Sequence, residues 1–565
     1  MPEVLHPGLL LMVGALPIPV LKGAVRSAYL VMVPFGLLAL LVSLPEGEWL
    51  RLTFLDYTLT LLRVDRLSIG FAMAFVIALG AGMLYGLPQR DWREHLLAYL
   101  YAGSTLGVTF AGDLVSLFVF WEMMALFATL LIWSARRADS YRAGLRYLIY
   151  HLIGGLFLLF GILGHWAGGG GIEFNALTLE SVWAWCILIA FVINAGVPPF
   201  HSWLPDAYPT ASVSGIVYLG AFTTKASVYV LARGFAGAEV LMWAGAVMAL
   251  YGVVYATFQN DMRRLLSYHI VSQVGYMVCA VGIGGTQGVN GATAHAFAHI
   301  MYKSLLLMGA GAVLFATGKE RLSDLSGAEL YRRLPVSLML YLIGALSISG
   351  VPLFNGFVSK AIITEGLESP AQKGVYLMLT VASVGTFLSV ALKLAYFAWF
   401  GTSKPERVEA YRSVQEVPLS MQLGMGVLAF ICIAMGVVPA LFNAILPYPE
   451  PLAVYAFDKV LTTVNLFVGT GLGFMLLVAR LEPKPKEVLD LDWFYRRGLY
   501  PLVRWAVPMV GRASRRAGRL TFARALAYIR DWLEARSAGS FSVSDAIVWI
   551  ALFLLLYVGA YLIVR

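Results

Sequence analysis

Long apolar runs separated by short polar stretches set the pattern of this chain almost from end to end. Sixteen of them are read as membrane-spanning helices, at about 7–22, 27–45, 66–86, 95–111, 113–133, 146–166, 182–203, 212–232, 238–258, 265–284, 291–317, 336–367, 374–402, 418–440, 455–480 and 543–564. The run at 336–367 is read as broken, because Gly350 and Pro352 interrupt it. Most runs have the length a helix needs to cross a hydrocarbon core of about 30 Å, and a transmembrane β-barrel would instead show short alternating segments. In lipid every backbone N–H and C=O needs an internal partner, so helices are the expected spans.

The loops between these runs alternate in charge. One set holds Lys22 and Arg26, Arg90 and Arg93, Arg136, Arg137 and Arg142, Arg263 and Arg264, Lys319, Arg321, Arg332 and Arg333, and Lys404, Arg407 and Arg412. The other set is mainly acidic, with Glu46, Glu48, Asp56, Glu173, Glu180, Glu365 and Glu368. The positive-inside rule then places the basic loops in the cytoplasm and both termini outside, in a multi-pass protein of the cell membrane.

Two of the spans carry nearly the same interruption, GVPPF at 196–200 and GVPLF at 350–354. The likeness extends from GVPPFHSWLPDA to GVPLFNGFVSKA. The second copy lies five spans further along than the first, an odd number, so the two would run in opposite directions as an inverted repeat. Proline removes a backbone donor and clashes with the preceding turn. Pro198, Pro199 and Pro352 should therefore leave carbonyls unpaired, which is tolerable at membrane depth only inside the protein or beside water. Paired interrupted spans of this kind point to an ion-binding region in transporters; a pair of ordinary proline kinks is the alternative.

Ionisable residues inside spans are costly and mark function. They are Glu122, Lys225, His269, His295, His299, Lys303, Lys360 and Lys393, with Asp113, His151 and Asp206 expected near an interface. His295, His299 and Lys303 recur every four residues, so a helix stacks them in one slowly drifting column about 6 Å apart. Histidine changes charge near neutral pH, which suits a proton relay. Hydrogen bonding between helices and a zinc site are the rival readings; the zinc site lacks nearby carboxylates or thiols, and its third member would be a lysine. Desolvation makes a lysine give up its proton more readily, so Lys225 and Lys360 are candidates to load and release protons. Glu122 could hold a proton or clamp a lysine, and Lys393 could carry protons, pair structurally or reach toward the interface.

Composition narrows the classes. Of 565 residues, 59% are hydrophobic and 13% charged, with a mean hydropathy of +0.77, which excludes a water-soluble domain. The formal charge of +9 belongs to the cytoplasmic loops, so no nucleic-acid partner is expected. Cys186, Cys279 and Cys432 lie singly in apolar runs, which rules out a disulfide framework or paired-cysteine metal motif and reads as small fillers in the lipid phase. No charged leader with a cleavage site precedes the first run, so that run is expected to be retained. No cofactor, metal or catalytic residue is expected, and any enzymatic chemistry would belong to partner subunits.

With these residues placed, the blocks FVFWEMMAL, HSWLPDAYPTASVSGIVYLGAFTTKASVYVLAR, DMRRLLSYHIVSQVGYM, HAFAHIMYKSLLLMGAG and SISGVPLFNGFVSK resemble the signature blocks of the Mrp-type antiporter-like family. That family includes the D-type subunit of multisubunit sodium/proton antiporters and the pumping subunits of respiratory complex I and membrane-bound hydrogenases. The resemblance covers roughly residues 60–440 and implies an all-α fold of fourteen core helices with two inverted five-helix repeats, each with a broken helix. It implies that Glu122 is the fifth-helix glutamate that pairs with lysine, Lys225 the central eighth-helix lysine, the histidine column the connecting relay, and Lys360 the lysine of the second broken helix. One position departs: Asn194 stands where the family has a lysine before the first broken-helix proline. Either Glu122 interacts with Lys225 instead, or the first half conducts differently.

The expected organisation is N-terminal helices at 1–90, the repeats at 91–234 and 235–402, and further core helices at 403–480. An Arg-rich amphipathic segment at 481–542 would lie at the cytoplasmic interface, and a final span would occupy 543–565. The expected function is that of one component of a multisubunit Na+/H+ antiporter, with other membrane subunits, the lipid bilayer, H+ and Na+ as partners. The alternative is a proton-translocating subunit of a redox-driven or CO2-uptake complex.

Overall fold

The computed structural model describes residues 4–54, 57–89, 91–367, 369–484, 488–491 and 493. The lateral segment expected at 481–542 lies mostly outside these, and the last span lies wholly outside. Residues 1–50 and 60–488 form the main compact unit, and 51–59 belong with the chain beyond 488 to a second.

The helices fall where the apolar runs predicted them. They begin with α1 (Pro7–Val13), α2 (Gly23–Ser43), α3 (Arg66–Gly86), α4 (Trp92–Phe110), α5 (Leu114–Trp133), α6 (Ala138–Ala167) and α7 (Val182–Ala195). Next come α8 (Trp203–Ala207), α9 (Gly215–Ala221), α10 (Thr223–Gly234), α11 (Glu239–Phe258), α12 (Met262–Ile283) and α13 (Gly285–Thr317). After the one-turn α14 (Leu322–Leu325) follow α15 (Pro335–Ser349), α16 (Asn355–Glu365), α17 (Lys373–Thr386) and α18 (Ala395–Trp399), the last two joined by a π-helical stretch at Phe387–Leu394. The short α19 (Pro405–Ala410), then α20 (Leu419–Val437) and α21 (Phe457–Leu477) complete the series among the described residues. Eleven helical segments there are long and apolar enough to cross a membrane, and the protein is a polytopic all-α membrane protein. One departure is a hairpin, β1 (Gly47–Phe54) and β2 (Tyr57–Val64), in a stretch read as an acidic loop running into a span.

Local chemistry sets the helix ends. Asp113 accepts from Ser116 N and Asp261 from Arg264 N, each capping the helix that follows. Both caps sit in the same backbone ladder. Leu114 N bonds Ile172 O and Phe174 N bonds Gly112 O; in the second half Met262 N bonds Glu320 O and Leu322 N bonds Asn260 O. Residues 112–114 and 172–174 thus match 260–262 and 320–322 in register, and α5–α6 is built like α12–α13.

The two interrupted helices also end alike. Gly196 at φ 74° closes α7 and Gly350 at φ 84° closes α15, left-handed conformations that glycine adopts without strain. Beyond them the halves differ: α8 is a five-residue helix, whereas α16 runs for eleven residues.

At the start of α3, Asp65 caps the helix through Ser68 N and takes two hydrogen bonds from the Arg233 guanidinium of α10, at 2.7 and 2.8 Å. Burial would raise the Asp65 pKa, but the Arg233 charge, hydrogen bonds from Ser68 and Arg233, and Arg63 together hold it below its ordinary value of 3.8. Asp65→Ala is expected to lose about 2–3 kcal/mol at pH 7, less than a fully buried pair because Asp65 is partly exposed. Because the folded pKa is the lower one, the contribution is full above the unfolded value and disappears as pH falls through the folded value. Thermal melts in detergent should therefore separate the variant from wild type at pH 7, the difference shrinking as pH falls below the ordinary carboxylate range.

Candidate functional site

The second half assembles its polar groups around α13. His295, His299 and Lys303 are fully buried along this helix. His295 Nδ1 lies 2.9 Å from Ser359 Oγ of α16, the residue before Lys360. The Tyr302 hydroxyl lies 3.3 Å from both His295 Nε2 and Gln273 Oε1 of α12, and Gln273 donates to Thr386 Oγ1 at 3.4 Å. Neither ring nitrogen of His299 has a hydrogen-bond partner among the described residues, and Lys225 is within electrostatic reach of His295, His299 and Lys303. Lys303 Nζ donates to Leu266 O at 3.3 Å, and His269 Nε2 sits 2.6 Å from Ser389 Oγ in the π-helical stretch.

Lys225, Lys360 and Lys393 are held by carbonyls left over where helices stop. Pro352 has no N–H to offer Ile348 O four residues earlier, so that carbonyl is free at the end of α15. Lys360 Nζ takes it at 2.8 Å, with Ser349 O at 3.3 Å and Ser383 Oγ at 3.0 Å, and lies 5.1 Å from the Tyr276 ring centre. Lys225 Nζ does the same where α9 gives way to α10, donating to Gly220 O at 2.6 Å and Thr224 Oγ1 at 3.0 Å. Lys393 caps the end of α11 through Thr257 O at 2.6 Å and Gln259 O at 2.9 Å. A cation at a helix C-terminus is favoured by the dipole, yet carbonyls hold the proton less firmly than a carboxylate would. Each ammonium is thus seated but not neutralised.

A cavity of about 480 Å³ adjoins Lys360, lined among others by Tyr276, Thr364, Ser383, Glu365 and Lys459. Lys459 of α21 and Glu365 of α16 pair at 2.8 Å in its wall.

The first half is built from fewer charges. Glu122 of α5 and Asn194 of α7 approach α6 on neighbouring glycines: Glu122 Oε1 occupies the space a Cβ on Gly155 would need, and Asn194 Oδ1 that beside Gly154. Glu122 Oε1 and both polar atoms of the Asn194 amide are buried without a hydrogen-bond partner among the described residues. Lys225 bonds other groups, so no Glu122–Lys225 pair forms among the described residues. Pro198 and Pro199 share a cis peptide bond in the break after Asn194.

Residues 111–389 match the sequence pattern of the NADH:quinone oxidoreductase/Mrp antiporter transmembrane family. The chain is 30% identical over 406 residues to NADH-quinone oxidoreductase subunit N of Desulforudis audaxviator, covering 66% of this chain and 80% of that subunit. The chain belongs to this family. It is also 28% identical over 506 residues to a Na(+)/H(+) antiporter subunit of Alkalihalophilus pseudofirmus, covering 77% of this chain. It spans 62% of that subunit's length, less than two thirds. Among solved structures, a chain of an archaeal respiratory complex, the membrane-bound sulfane sulfur reductase, shares the fold with a TM-score of 0.71 at 22% identity, over 98% of this chain and 99% of that one.

Every expected site residue from Glu122 to Lys360 falls inside the matched family region, and Lys393 lies just beyond it. The structure brings His295 to Ser359, the residue before Lys360, and keeps Lys393 apart at the end of α11. Three readings need correction. His151, expected near an interface, lies midway along α6 and is fully buried against Tyr147 and Trp203. Arg263, counted with the basic loops, is buried in α12, donating to Ala211 O at 2.6 Å and Ser212 O at 2.9 Å. Cys279 and Cys432, read as fillers in the lipid phase, are fully buried in the protein interior. Sequence reasoning passed over Gln273 and Tyr276, although they follow His269 at helical spacing on one face of α12. It also missed Glu94, buried in α4 with Ser214 and Gln89 as hydrogen-bond donors.

Proposed function

We propose that this chain is a proton-translocating subunit of a hetero-oligomeric membrane complex, moving protons between Lys225 and Lys360 along the column of Lys303, His299 and His295. The observation that carries the reading is the run of buried titratable groups from α10 through α13 to α16, its lysines seated on carbonyls rather than paired with carboxylates. A seated but unneutralised lysine can pass its proton to water and take it back without breaking a salt bridge, and buried tyrosine, glutamine and serine groups supply hydrogen bonds between stations. The cavity beside Lys360 offers water access on one side, with the Glu365–Lys459 pair in its wall. Glu122 and Asn194 belong to the entry half, and the basic loops face the cytoplasm.

The finer reading is exchange of Na+ for H+, as the name of the Alkalihalophilus pseudofirmus relative suggests. A redox-driven role has its own support, since this chain covers 80% of the length of a quinone oxidoreductase subunit, with nearly the whole of a respiratory-complex chain besides. The intact complex, purified through a tag on this chain and sealed into liposomes with a trapped pH dye, separates them. A pH change on a Na+ pulse alone identifies the antiporter; a change only on adding electron donor and acceptor identifies the redox pump. Proton movement under neither condition contradicts the proposal.

A further inference from the structure

We propose that His151 is the proton-carrying side chain of the first half, filling the role left vacant by Asn194 and working through water held between its Nε2, the Asn194 amide and the Glu122 carboxyl. The inference rests on the proton-translocating reading above. In the register fixed by the matching backbone ladders, Tyr147, His151 and Gly155 of α6 correspond to His295, His299 and Lys303 of α13. The first half therefore carries a histidine where the second half has the middle of its column. Where the second half has Lys303 it has a glycine, and Glu122 of the adjacent helix fills the vacated space.

The ring's tautomer follows from its partners. His151 Nδ1 lies 2.8 Å from Tyr147 O, and a carbonyl can only accept, so Nδ1 carries the hydrogen. Nε2 is left with its lone pair, buried and without a partner among the described residues. One helical turn on, Glu122 Oε1 and the whole Asn194 amide are likewise unpartnered there. Buried polar atoms are nearly always hydrogen-bonded, and ordered water is the usual partner where protein supplies none. Glu122 and Asn194 meet at the Gly154–Gly155 surface, one helical turn along α6 from His151, where water would partner the orphaned atoms.

A proton leaving the Glu122 carboxylic acid through this water binds Nε2, giving carboxylate and imidazolium; it leaves from the same nitrogen, restoring the neutral ring. Onward, His151 stacks on Tyr147 at 3.9 Å, and the Tyr147 hydroxyl is 3.0 Å from Thr223 Oγ1, two residues before Lys225. The side chains packed on His151, Trp203 of α8 and Tyr147 of its own helix, carry no charge. Arg146 and Asp206 on the neighbouring turns bond each other at 2.6 Å. Glu122, against Gly155 one helical turn along α6, is the carboxyl that the proposal links to His151 through water.

The test uses the intact complex. Infrared difference spectra of the wild-type protein should contain a carboxylic-acid C=O band, identified by its loss in Glu122→Gln, that shifts in D2O. A band that does not shift shows a dry site and overturns the proposal, whatever the complex transports. In liposomes, His151→Phe should lower proton flux at least tenfold, and His151→Phe with Asn194→Lys should regain much of it, because a lysine at 194 returns a titratable group beside Glu122. Rescue of this kind is not expected of a merely structural histidine. Flux within twofold of wild type for His151→Phe, or no recovery in an assembled double variant, contradicts it. If His151→Phe fails to assemble, His151→Gln takes its place with the same two outcomes.

Discussion

Lys360→Ala is expected to reduce proton translocation at least tenfold while leaving the complex assembled. Among the described residues, Lys360 is the titratable side chain that joins the buried column to the cavity: Ser359 beside it meets His295, and its own ammonium borders the cavity. Alanine leaves water to solvate Ile348 O and Ser349 O, which costs about 1–3 kcal/mol of stability at this site. That is too little to dissolve a chain with this much buried surface, so the loss should be one of transport. Flux in sealed vesicles, compared with the amount of complex on a size-exclusion column, checks both halves of the expectation. Lys360→Arg should not restore flux, because arginine keeps its proton.

The second large effect is structural and acts on the same lysine. A Cβ on Gly356 would lie 1.8 Å from Ser347 O and 2.8 Å from Ser347 C, both backbone atoms of α15 that cannot swing away. Gly356→Ala must therefore push α16 off α15, at about 1–3 kcal/mol or more. Lys360 is one turn further along α16, so the shift should draw its ammonium from Ile348 O and Ser349 O. Lowered melting temperature and lost flux are expected together. Gly426→Ala on α20, where a Cβ would meet nothing within 4 Å, serves as the control and should change neither.

How much of this is legible in the sequence depends on what each feature rests on. The spans follow from apolar length, and the His295–His299–Lys303 column from a spacing of four, so both can be read directly. The breaks can be placed from Gly196, Gly350 and their prolines. That the freed Ile348 carbonyl is taken by Lys360 depends on the return of α16 against α15, which no local pattern encodes. His151 is misplaced by the sequence because the span is begun at 146, after a loop holding Arg136, Arg137 and Arg142; α6 instead starts at Ala138, so Arg142 and Arg146 lie inside the helix, the latter paired with Asp206. The hairpin at 47–64 is hidden for a related reason: its alternating leucines and threonines sit between two spans, where a loop is the default reading. Gln273 and Tyr276 are masked by the apolar run around them.

The central claim is that protons pass along a continuous buried axis on α13, and Lys303 tests it most directly. Lys303 is fully buried, donates to Leu266 O, and stands in the column between the two halves. The measurement is proton flux across liposomes containing the intact complex, with Lys303→Ala compared with wild type at equal protein and matched assembly. The account predicts that Lys303→Ala carries less than about a tenth of wild-type flux; assembled Lys303→Ala complex moving protons at the wild-type rate would contradict it.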